Sequence, residues 1–359
     1  MKFSCDKYVL QQAAASAARA AAPKSPIAAL EGLLLEAGAD LRITGYDLKK
    51  AIYTNMEADI PEPGSVLVGA RLFCEMLRRM PDGVVTVEAE NGTVTVRCGR
   101  SSFNLVGMSA EDYPDLPSVE AENGVSLPQD LLKKMINECS FAVSTNESRP
   151  VYMGTLFEIA HNELTMVSVD GYRLALRREP VEGYGDDCSF IVPGTALSDL
   201  ERLCGDSDER VKMSVGSKHI FSRRLEGDFL NYKKAIPESF RITVKTARTD
   251  LLDVVERVSL IVDSKNNAPL RLTFRKDAID FVCTTPLGKA ADSCPCEGDG
   301  GDLEIGFNDH YLSDALKAAP ADELNVCLNT GSSPCIFVPA DGSDNFVYMV
   351  LPVRLRAGQ

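Results

Sequence analysis

The sequence contains few histidines and none of the short motifs that mark common catalytic sites. Only three of its 359 residues are histidine, and neither they nor the cysteines have the spacing of a zinc site. We find no Gly-rich phosphate loop ending in Lys and Ser or Thr, no dinucleotide fingerprint, no HExxH and no GxSxG. The sequence therefore predicts neither a metal nor a cofactor.

Positive charge and long apolar runs are also scarce. The formal net charge is −14, which argues against a DNA partner unless Lys and Arg are concentrated locally, because they supply most of the affinity for duplex. The Ala-rich start is interrupted by Gln11, Gln12 and Arg19, so it fits neither a signal peptide nor a membrane span. We expect a cytoplasmic protein that does not enter membranes.

The eleven cysteines form no even framework and are interpreted as reduced thiols of a cytosolic protein. Cys294 and Cys296 make the only tight pair. A cysteine enzyme with one of them as nucleophile and His310 as base stays open as an alternative.

One sequence pattern occurs three times, in residues 65–98, 189–223 and 302–338. Each stretch has a short apolar strand, a break, a helix with one apolar stripe, a polar turn and two alternating strands. The preceding strands also correspond. The landmark positions that recur in the three copies are Leu41, Leu164 and Ile279, and Val68, Val192 and Ile305.

These repeats predict an α+β fold in which helices cover one face of antiparallel sheets. We place three domains at residues 1–120, 121–243 and 244–359. Asp47 and Asp170 recur at equivalent places, and we assign them to turns or caps instead of catalysis.

Two predicted helices carry basic or neutral polar residues opposite their apolar stripes. Residues 6–21 place Lys7, Gln11 and Arg19 opposite a stripe that includes Val9, and residues 126–141 place Lys133 and Lys134 opposite another. The chain end alternates instead, and the apolar positions that predict a half-buried strand there are Val347, Met349, Leu351, Val353 and Leu355.

Five segments together resemble the beta subunit of bacterial DNA polymerase III, the sliding clamp family. They are MKFSCDKYVLQQA at the start, VDGYRLAL at 169–176, NYKKAIP at 231–237, EIGFNDHYLSDAL at 304–316 and YMVLPVRL at 348–355. Each segment alone is modest, but their order and spacing are specific, and the resemblance covers essentially the whole chain.

The resemblance implies three tandem clamp domains per chain and a homodimeric ring around double-stranded DNA, with helices on the inner face and sheets outside. The ring would hold DNA by sequence-independent phosphate contacts. Gly194 and Thr195 stand where family members often have basic residues. The residues that the resemblance assigns to DNA contacts are Lys24, Arg71, Arg78, Lys133, Lys134 and Arg149.

The resemblance also implies a cleft between the second and third domains that receives short motifs of partner proteins. The implied partners are the catalytic subunit of the replicative polymerase, the clamp loader and repair proteins. The residues assigned to this cleft are Tyr152, Val169, Gly171, Tyr172, Arg173, Leu174, Lys234, Ala235, Asn308, Tyr311, Met349, Leu351, Pro352, Val353, Arg354 and Leu355. A further tail, RAGQ, extends past the usual family ending.

For the ring contact, the resemblance pairs Phe103 and Leu105 of one chain with Ile261 and Val262 of its twin. We thus expect a non-catalytic DNA sliding clamp that makes the replicative polymerase processive. Besides the cysteine enzyme, a monomeric peptide-binding scaffold is the alternative.

Overall fold

The computed structural model describes residues 1–116, 124–182, 187–204, 210–214, 220–222, 225, 227–262 and 268–355. The chain forms two compact units. The first comprises Met1–Gly124 and Lys212–Arg223, and the second comprises Val125–Val211 and Arg224–Gln359. In the described part of the chain, no helix is long and apolar enough to cross a membrane.

The helices are short and amphipathic, as the apolar stripes predict. Asp6 caps the first of them by accepting hydrogen bonds from the backbone N–H of Tyr8 and Val9. The helices are α1 (Lys7–Ala18), α2 (Ala70–Arg79), α3 (Gln129–Ser140), α4 (Gly194–Leu203), α5 (Tyr232–Ala235), α6 (Arg248–Ser259) and α7 (Asp309–Ala318).

The first unit contains two antiparallel sheets. Its strands are β1 (Lys2–Asp6), β2 (Gly32–Ala37), β3 (Leu41–Tyr46), β4 (Lys50–Met56), β5 (Asp59–Glu62), β6 (Gly64–Gly69), β7 (Val84–Glu90), β8 (Thr93–Cys98) and β9 (Ser101–Val106). One sheet has the order β5-β1-β7-β8-β9, and the other has β4-β3-β2-β6 with a short later strand beside β4.

The remaining strands of the chain are β10 (Gly124–Pro128), β11 (Gly154–Ala160), β12 (Glu163–Val169), β13 (Arg173–Pro180), β14 (Cys188–Pro193), β15 (Arg210–Ser214), β16 (Ile220–Ser222), β17 (Ile242–Ala247), β18 (Leu270–Thr285), β19 (Gly288–Phe307), β20 (Glu323–Leu328), β21 (Cys335–Pro339) and β22 (Phe346–Val350). A ten-stranded sheet runs through the second unit in the order β14-β11-β12-β13-β22-β21-β20-β17-β19-β18. The α+β prediction is confirmed.

The three repeats share the same hydrogen-bonded turn. Asp47 Oδ1 accepts from the backbone N–H of Lys49 at 2.9 Å, and Asp170 Oδ1 accepts from that of Tyr172 at 2.8 Å. In the third copy, Thr285 Oγ1 accepts from Leu287 N–H at 3.1 Å. The assignment of both aspartates to turns is therefore correct, and the hydroxyl of Thr285 takes the same part.

The second half of each copy also begins alike, with a helix directly after a strand. The N-caps of α2, α4 and α7 are Gly69, Pro193 and Asn308. Val68 and Val192 each precede the cap, so their counterpart is Phe307, and our choice of Ile305 was two residues early. The error arose because Ile305 and Phe307 are both fully buried on the same strand.

Two burial predictions were wrong. In α1, Lys7 is buried and Val9 is 46% exposed, because Lys7 lies at the start of the helix where its amine reaches Asp82 at 3.4 Å. At the chain end, β22 is buried on both faces from Tyr348 to Val350 and stops before Leu351. The predicted alternation fails because both faces of β22 are covered: the Tyr348 hydroxyl reaches the carbonyl oxygens of Glu138 in α3 and Ala318 in α7 on one face, and Met349 packs in an apolar cluster on the other.

Candidate functional site

The second and third repeats join at a seam where β13 pairs with β22. Arg173 lies opposite Val350, and Arg177 lies opposite Phe346. Beyond β22, Leu351 N–H donates to the carbonyl of Tyr172 at 2.8 Å, and Val353 N–H donates to that of Gly306 at 2.8 Å. The chain end therefore passes from the β12–β13 turn of the second repeat to β19 of the third.

An apolar cluster, here called the seam cluster, lies on the sheet face opposite the long helices. Its buried members are Leu156, Val167, Val169, Leu174, Leu176, Ile191, Tyr232, Cys327, Ile336 and Met349. Its half-buried members are Val151, Tyr152, Leu225, Phe229, Leu230, Ile236, Phe240, Val338, Val347 and Leu351. So many large half-buried side chains leave apolar area that a ligand could cover.

Two tyrosines stack at one end of the seam. The rings of Tyr172 and Tyr311 are 5.5 Å apart, with 18° between their planes. Tyr172 follows the Asp170 turn and is 59% exposed, whereas Tyr311 lies in the first turn of α7 and is half-buried. Burial, assisted by the nearby Asp170 carboxylate, raises the pKa of Tyr311, so its hydroxyl stays protonated and can donate a hydrogen bond.

Arg173 lies beside this pair with its side chain 12% exposed. Its Nε donates to Asp170 Oδ2 at 2.9 Å, and its Nη1 donates to Asp314 Oδ2 at 2.5 Å. Its guanidinium carbon lies 4.8 Å from the ring centre of Tyr311 and 5.4 Å from that of Phe141. These contacts bind the second repeat to α7 of the third.

Asn308 and Gly306 lie where β19 ends and α7 begins. The Asn308 side chain caps α7 by accepting from Tyr311 N–H at 3.1 Å. A Cβ on Gly306 would lie 2.6 Å from Leu355 Cδ2 and 2.8 Å from the carbonyl oxygen of Val353. A side chain at residue 306 would therefore push the chain end away from β19.

The residues predicted for the cleft divide by burial. Val169, Leu174 and Met349 are buried and form part of the sheet itself. Gly171, Tyr172, Lys234, Val353 and Arg354 are exposed. The half-buried residues are Tyr152, Arg173, Ala235, Asn308, Tyr311, Leu351, Pro352 and Leu355. All belong to the second unit, and their role in binding stays a prediction.

Sequence reasoning missed several residues of this region. Gly306 lies within one of the family segments but was not assigned to the site, although a glycine two residues before an N-capping Asn was a usable signal. Asp314 and Phe229 were also missed. Phe229 packs edge to face on Tyr152 with ring centres 5.7 Å apart, and only the folded chain brings these two rings together.

The residues predicted to contact DNA lie on helices and loops. Arg71 and Arg78 are exposed on α2, Lys134 is exposed and Lys133 half-buried on α3, and Lys24 and Arg149 are exposed outside helices. Arg78 pairs with Glu75 at 2.9 Å, and Lys134 pairs with Asp130 at 3.1 Å. These ion pairs are solvent-exposed and weak, so phosphate can displace the carboxylates.

The residues predicted for the ring contact are partly exposed apolar side chains. Phe103 is 43% exposed and Leu105 half-buried on β9, which ends its sheet among the described strands. Ile261 and Val262 are half-buried just after α6. Two more exposed residues, Val106 and Leu260, were missed; each is more than 80% exposed.

The thiols and histidine of the enzyme alternative are unsuited to catalysis. Cys294 and Cys296 are buried, and burial raises the pKa of the Cys294 thiol to about 12, so it stays protonated at neutral pH. His310 is on the surface of α7, with its side chain 80% exposed. Among the residues described, no group of His, Cys, Asp and Glu side chains could hold a metal ion.

Three family models match the chain in succession. They describe the N-terminal domain of the DNA polymerase III beta subunit over residues 1–117, the central domain over 126–230 and the C-terminal domain over 233–354.

Full-length relatives give the same result. The chain is 31% identical to the beta sliding clamp of Synechocystis sp. and 29% identical to that of Bacillus subtilis, over 99% of this chain and 100% of each relative.

Solved structures agree with these matches. The fold is similar to that of the DNA polymerase sliding clamp of Bacillus subtilis, with a TM-score of 0.93 and 27% identity. It is also similar to a Pseudomonas aeruginosa sliding clamp bound to griselimycin, with a TM-score of 0.92 and 26% identity. Both comparisons cover 99% of this chain and 100% of the other.

Proposed function

Because the chain belongs to the family of DNA polymerase III beta subunits, the beta sliding clamps, we propose that two copies close into a ring around duplex DNA. The protein is a DNA sliding clamp and a non-catalytic processivity factor. The observation that carries the proposal is the succession of three clamp domains over nearly the whole chain. Two such chains supply the six domains of a family ring.

The ring is proposed to close through a head-to-tail contact that occurs twice. Phe103 and Leu105 of one chain would meet Ile261 and Val262 of its twin. The exposure of Phe103 and the edge position of β9 support this contact, because an edge strand with apolar side chains is suited to pairing with another chain. A heterologous contact that repeats once around a two-fold axis closes without free ends.

Sedimentation equilibrium tests the closure. We expect the wild type at twice the chain mass of 38.9 kDa, and Phe103→Arg at the single-chain mass because a charge would be buried in the contact. Leu287→Arg is the matched control, since Leu287 is 73% exposed at the tip of the β18–β19 hairpin. A monomeric wild type would support the scaffold alternative, and a dimeric Phe103→Arg would refute the assigned interface.

Lys24, Arg71, Arg78, Lys133, Lys134 and Arg149 are proposed to contact phosphates without reading bases. Such contacts are weak and salt-sensitive, as a clamp that must slide requires. Gly194 and Thr195 begin α4 without a basic side chain, so we place no phosphate contact there.

Anisotropy with a short linear duplex tests this assignment. Replacing Lys133 and Lys134 with glutamate should weaken binding and reduce the slope against log salt by roughly one per lost contact. Lys289→Glu, on β19, is the control. An unchanged slope in the double variant would remove α3 from the DNA-binding surface.

The seam is proposed as the cleft that receives short segments of partner proteins. The catalytic subunit of the replicative polymerase, the clamp loader and repair proteins would compete for it. The half-buried apolar side chains of the seam cluster support this role, since each large apolar anchor that a partner buries contributes about 1.5–3 kcal/mol. Few polar groups fix the ligand, so one surface can serve several partners.

Competition with griselimycin tests the cleft, because a Pseudomonas aeruginosa relative was crystallised with this ligand. We propose that it binds this chain at the seam and displaces the polymerase subunit. Leu351→Asp should lose both ligands, whereas Val282→Asp, on β18 outside the seam cluster, should keep both. Retention of both ligands by Leu351→Asp would refute the cleft.

The protein would act in the cytoplasm, where the replication machinery lies.

A further inference from the structure

Arg173 has its hydrogen-bonding and ring contacts within its own chain. The side chain is 12% exposed. Two of its N–H groups donate to Asp170 and Asp314, and two aromatic rings, of Phe141 and Tyr311, lie within cation–π distance. An arginine held this way has little surface left for a partner.

Two of the contacts of Arg173, those with Tyr311 and Asp314, lie in the first two turns of α7. Tyr311 and Asp314 are three residues apart and so lie on the same side of the helix. Tyr311 in turn stacks on Tyr172, and Asn308 caps the same helix end. One guanidinium therefore holds the part of the third repeat that borders the cleft against the Asp170 turn of the second.

We infer that Arg173 is a positioning residue: it assembles the cleft before a partner arrives and does not itself recognise the partner. This inference rests on the proposed partner-binding role of the seam. Without the bond to Asp314, α7 and the Asp170 turn would be held together less firmly, and only a fraction of molecules would present an assembled cleft. Apparent affinity falls by that fraction.

Titration of griselimycin into the full-length protein tests the inference. Asp314 is 43% exposed, and Asp314→Asn removes its negative charge while residue 173 stays arginine. We expect Asp314→Asn and Arg173→Lys each to raise Kd by roughly tenfold, mainly through slower association. The double variant should be no weaker than Arg173→Lys alone, because both changes remove one interaction.

Asp292→Asn is the matched control. It breaks the ion pair of Asp292 with Arg257, which has a similar distance of 2.7 Å in the third repeat, and it should leave Kd unchanged. If Arg173→Lys weakens binding but Asp314→Asn does not, Arg173 contacts the ligand directly and the inference is wrong. Equal affinity in all variants would overturn it as well.

Hydrogen exchange without ligand gives an independent readout. The amide of Leu312, which donates to the Asn308 carbonyl at 3.2 Å, should exchange several-fold faster in Asp314→Asn than in Asp292→Asn. If the wild type failed to bind griselimycin, the proposed cleft would be refuted. Faster exchange in Asp314→Asn would still support the positioning role of Arg173. Unchanged exchange would refute that role whatever the ligand does.

Discussion

Two equivalent sheet faces of this clamp differ in how they are covered. In the first unit, the face opposite the long helices carries Leu34, Tyr46, Ala51 and Leu67, and the chain closes it with a buried Tyr113. The other closing residues are Ala29, Leu30 and the half-buried Ala22, Met108, Ala110 and Leu116. The seam cluster occupies the corresponding face of the second repeat, and half of its members are only partly buried.

The covering segments begin in the same way in all three repeats. The residue two before each helix cap hydrogen-bonds to the segment that follows: Leu67 pairs with Met108, Leu225 N–H donates to Ile191, and Val353 N–H donates to Gly306. In the first repeat the segment then covers the sheet. In the second, the sheet continues through β22 into the third repeat, so the apolar face is longer than its cover. The open face arises from that continuation.

The largest expected effect comes from removing the third covering segment. A chain that ends at Val350 keeps β22 but loses the bonds of Leu351 and Val353 and the contact of Leu355 with Gly306. We expect griselimycin Kd to rise at least about 100-fold while sedimentation still gives the dimer. Residual tight binding would mean that the first unit, with its closed face, also offers a site.

Tyr113 and Tyr152 should give opposite results if one face is closed and the other open. Tyr113 is 8% exposed, so Tyr113→Ala should lower the free energy of unfolding by about 3 kcal/mol without changing griselimycin binding. Tyr152→Ala should cost less than about 1 kcal/mol of stability but weaken binding roughly tenfold. Urea unfolding and titration measure the two quantities; similar results for both variants would remove the distinction between the faces.

The helix-covered faces of the two units should behave alike. Burial raises the pKa of Cys5 in the first unit and of Cys294 in the second to about 12, from an ordinary value of 9.0. A thiol that stays neutral when folded contributes stability that is complete below pH 9 and is lost as pH rises toward 12. At about pH 10, each of the two buried thiols should lower the free energy of unfolding by about 1.4 kcal/mol.

Urea unfolding at about pH 8 and about pH 10 measures this loss, and Cys5→Ala and Cys294→Ala should reduce it equally. If only one of the two substitutions reduced the loss of stability, the helix-covered cores of the two units would differ as well. The outer faces alone would then no longer account for the difference between the units.

The smallest effect is expected at Gly306. Its counterparts Leu67 and Ile191 carry large side chains, but at Gly306 the chain end lies too close. Gly306→Ala should push Leu355 and Val353 aside and raise griselimycin Kd about threefold. Leu67→Ala, at the equivalent place, should leave Kd unchanged. Equal effects would indicate that the closed face communicates with the cleft.

Much of the fold could be predicted because its signals are local and repeated. Apolar stripes located the helices, and the recurring aspartates located equivalent turns. The predicted correspondence of Ile305 with Val68 and Val192 was wrong because neighbouring positions on one face of a buried strand are equally apolar. The predicted burial of Lys7 and Val9 was the reverse of what the structure shows. The first turn of a helix has a free end, where the amine of Lys7 can fold back onto a loop.

The candidate site could be predicted only through family resemblance. Tyr172, Tyr311 and Arg173 are distant in sequence or unremarkable within it, and their meeting depends on the pairing of β13 with β22. The contact of Arg173 with Asp314 spans 141 residues, and no local pattern reports such a pairing. The structure adds which of the predicted residues are buried in the sheet, which are exposed and which contact one another.

Retention on DNA tests the central claim, that this protein holds duplex by enclosing it. The clamp is loaded onto a nicked circle by its clamp loader and then separated from free protein, and the circle is cut once. We predict that the clamp stays on the intact circle and leaves soon after linearisation. Equal dissociation from circular and linear DNA would contradict enclosure.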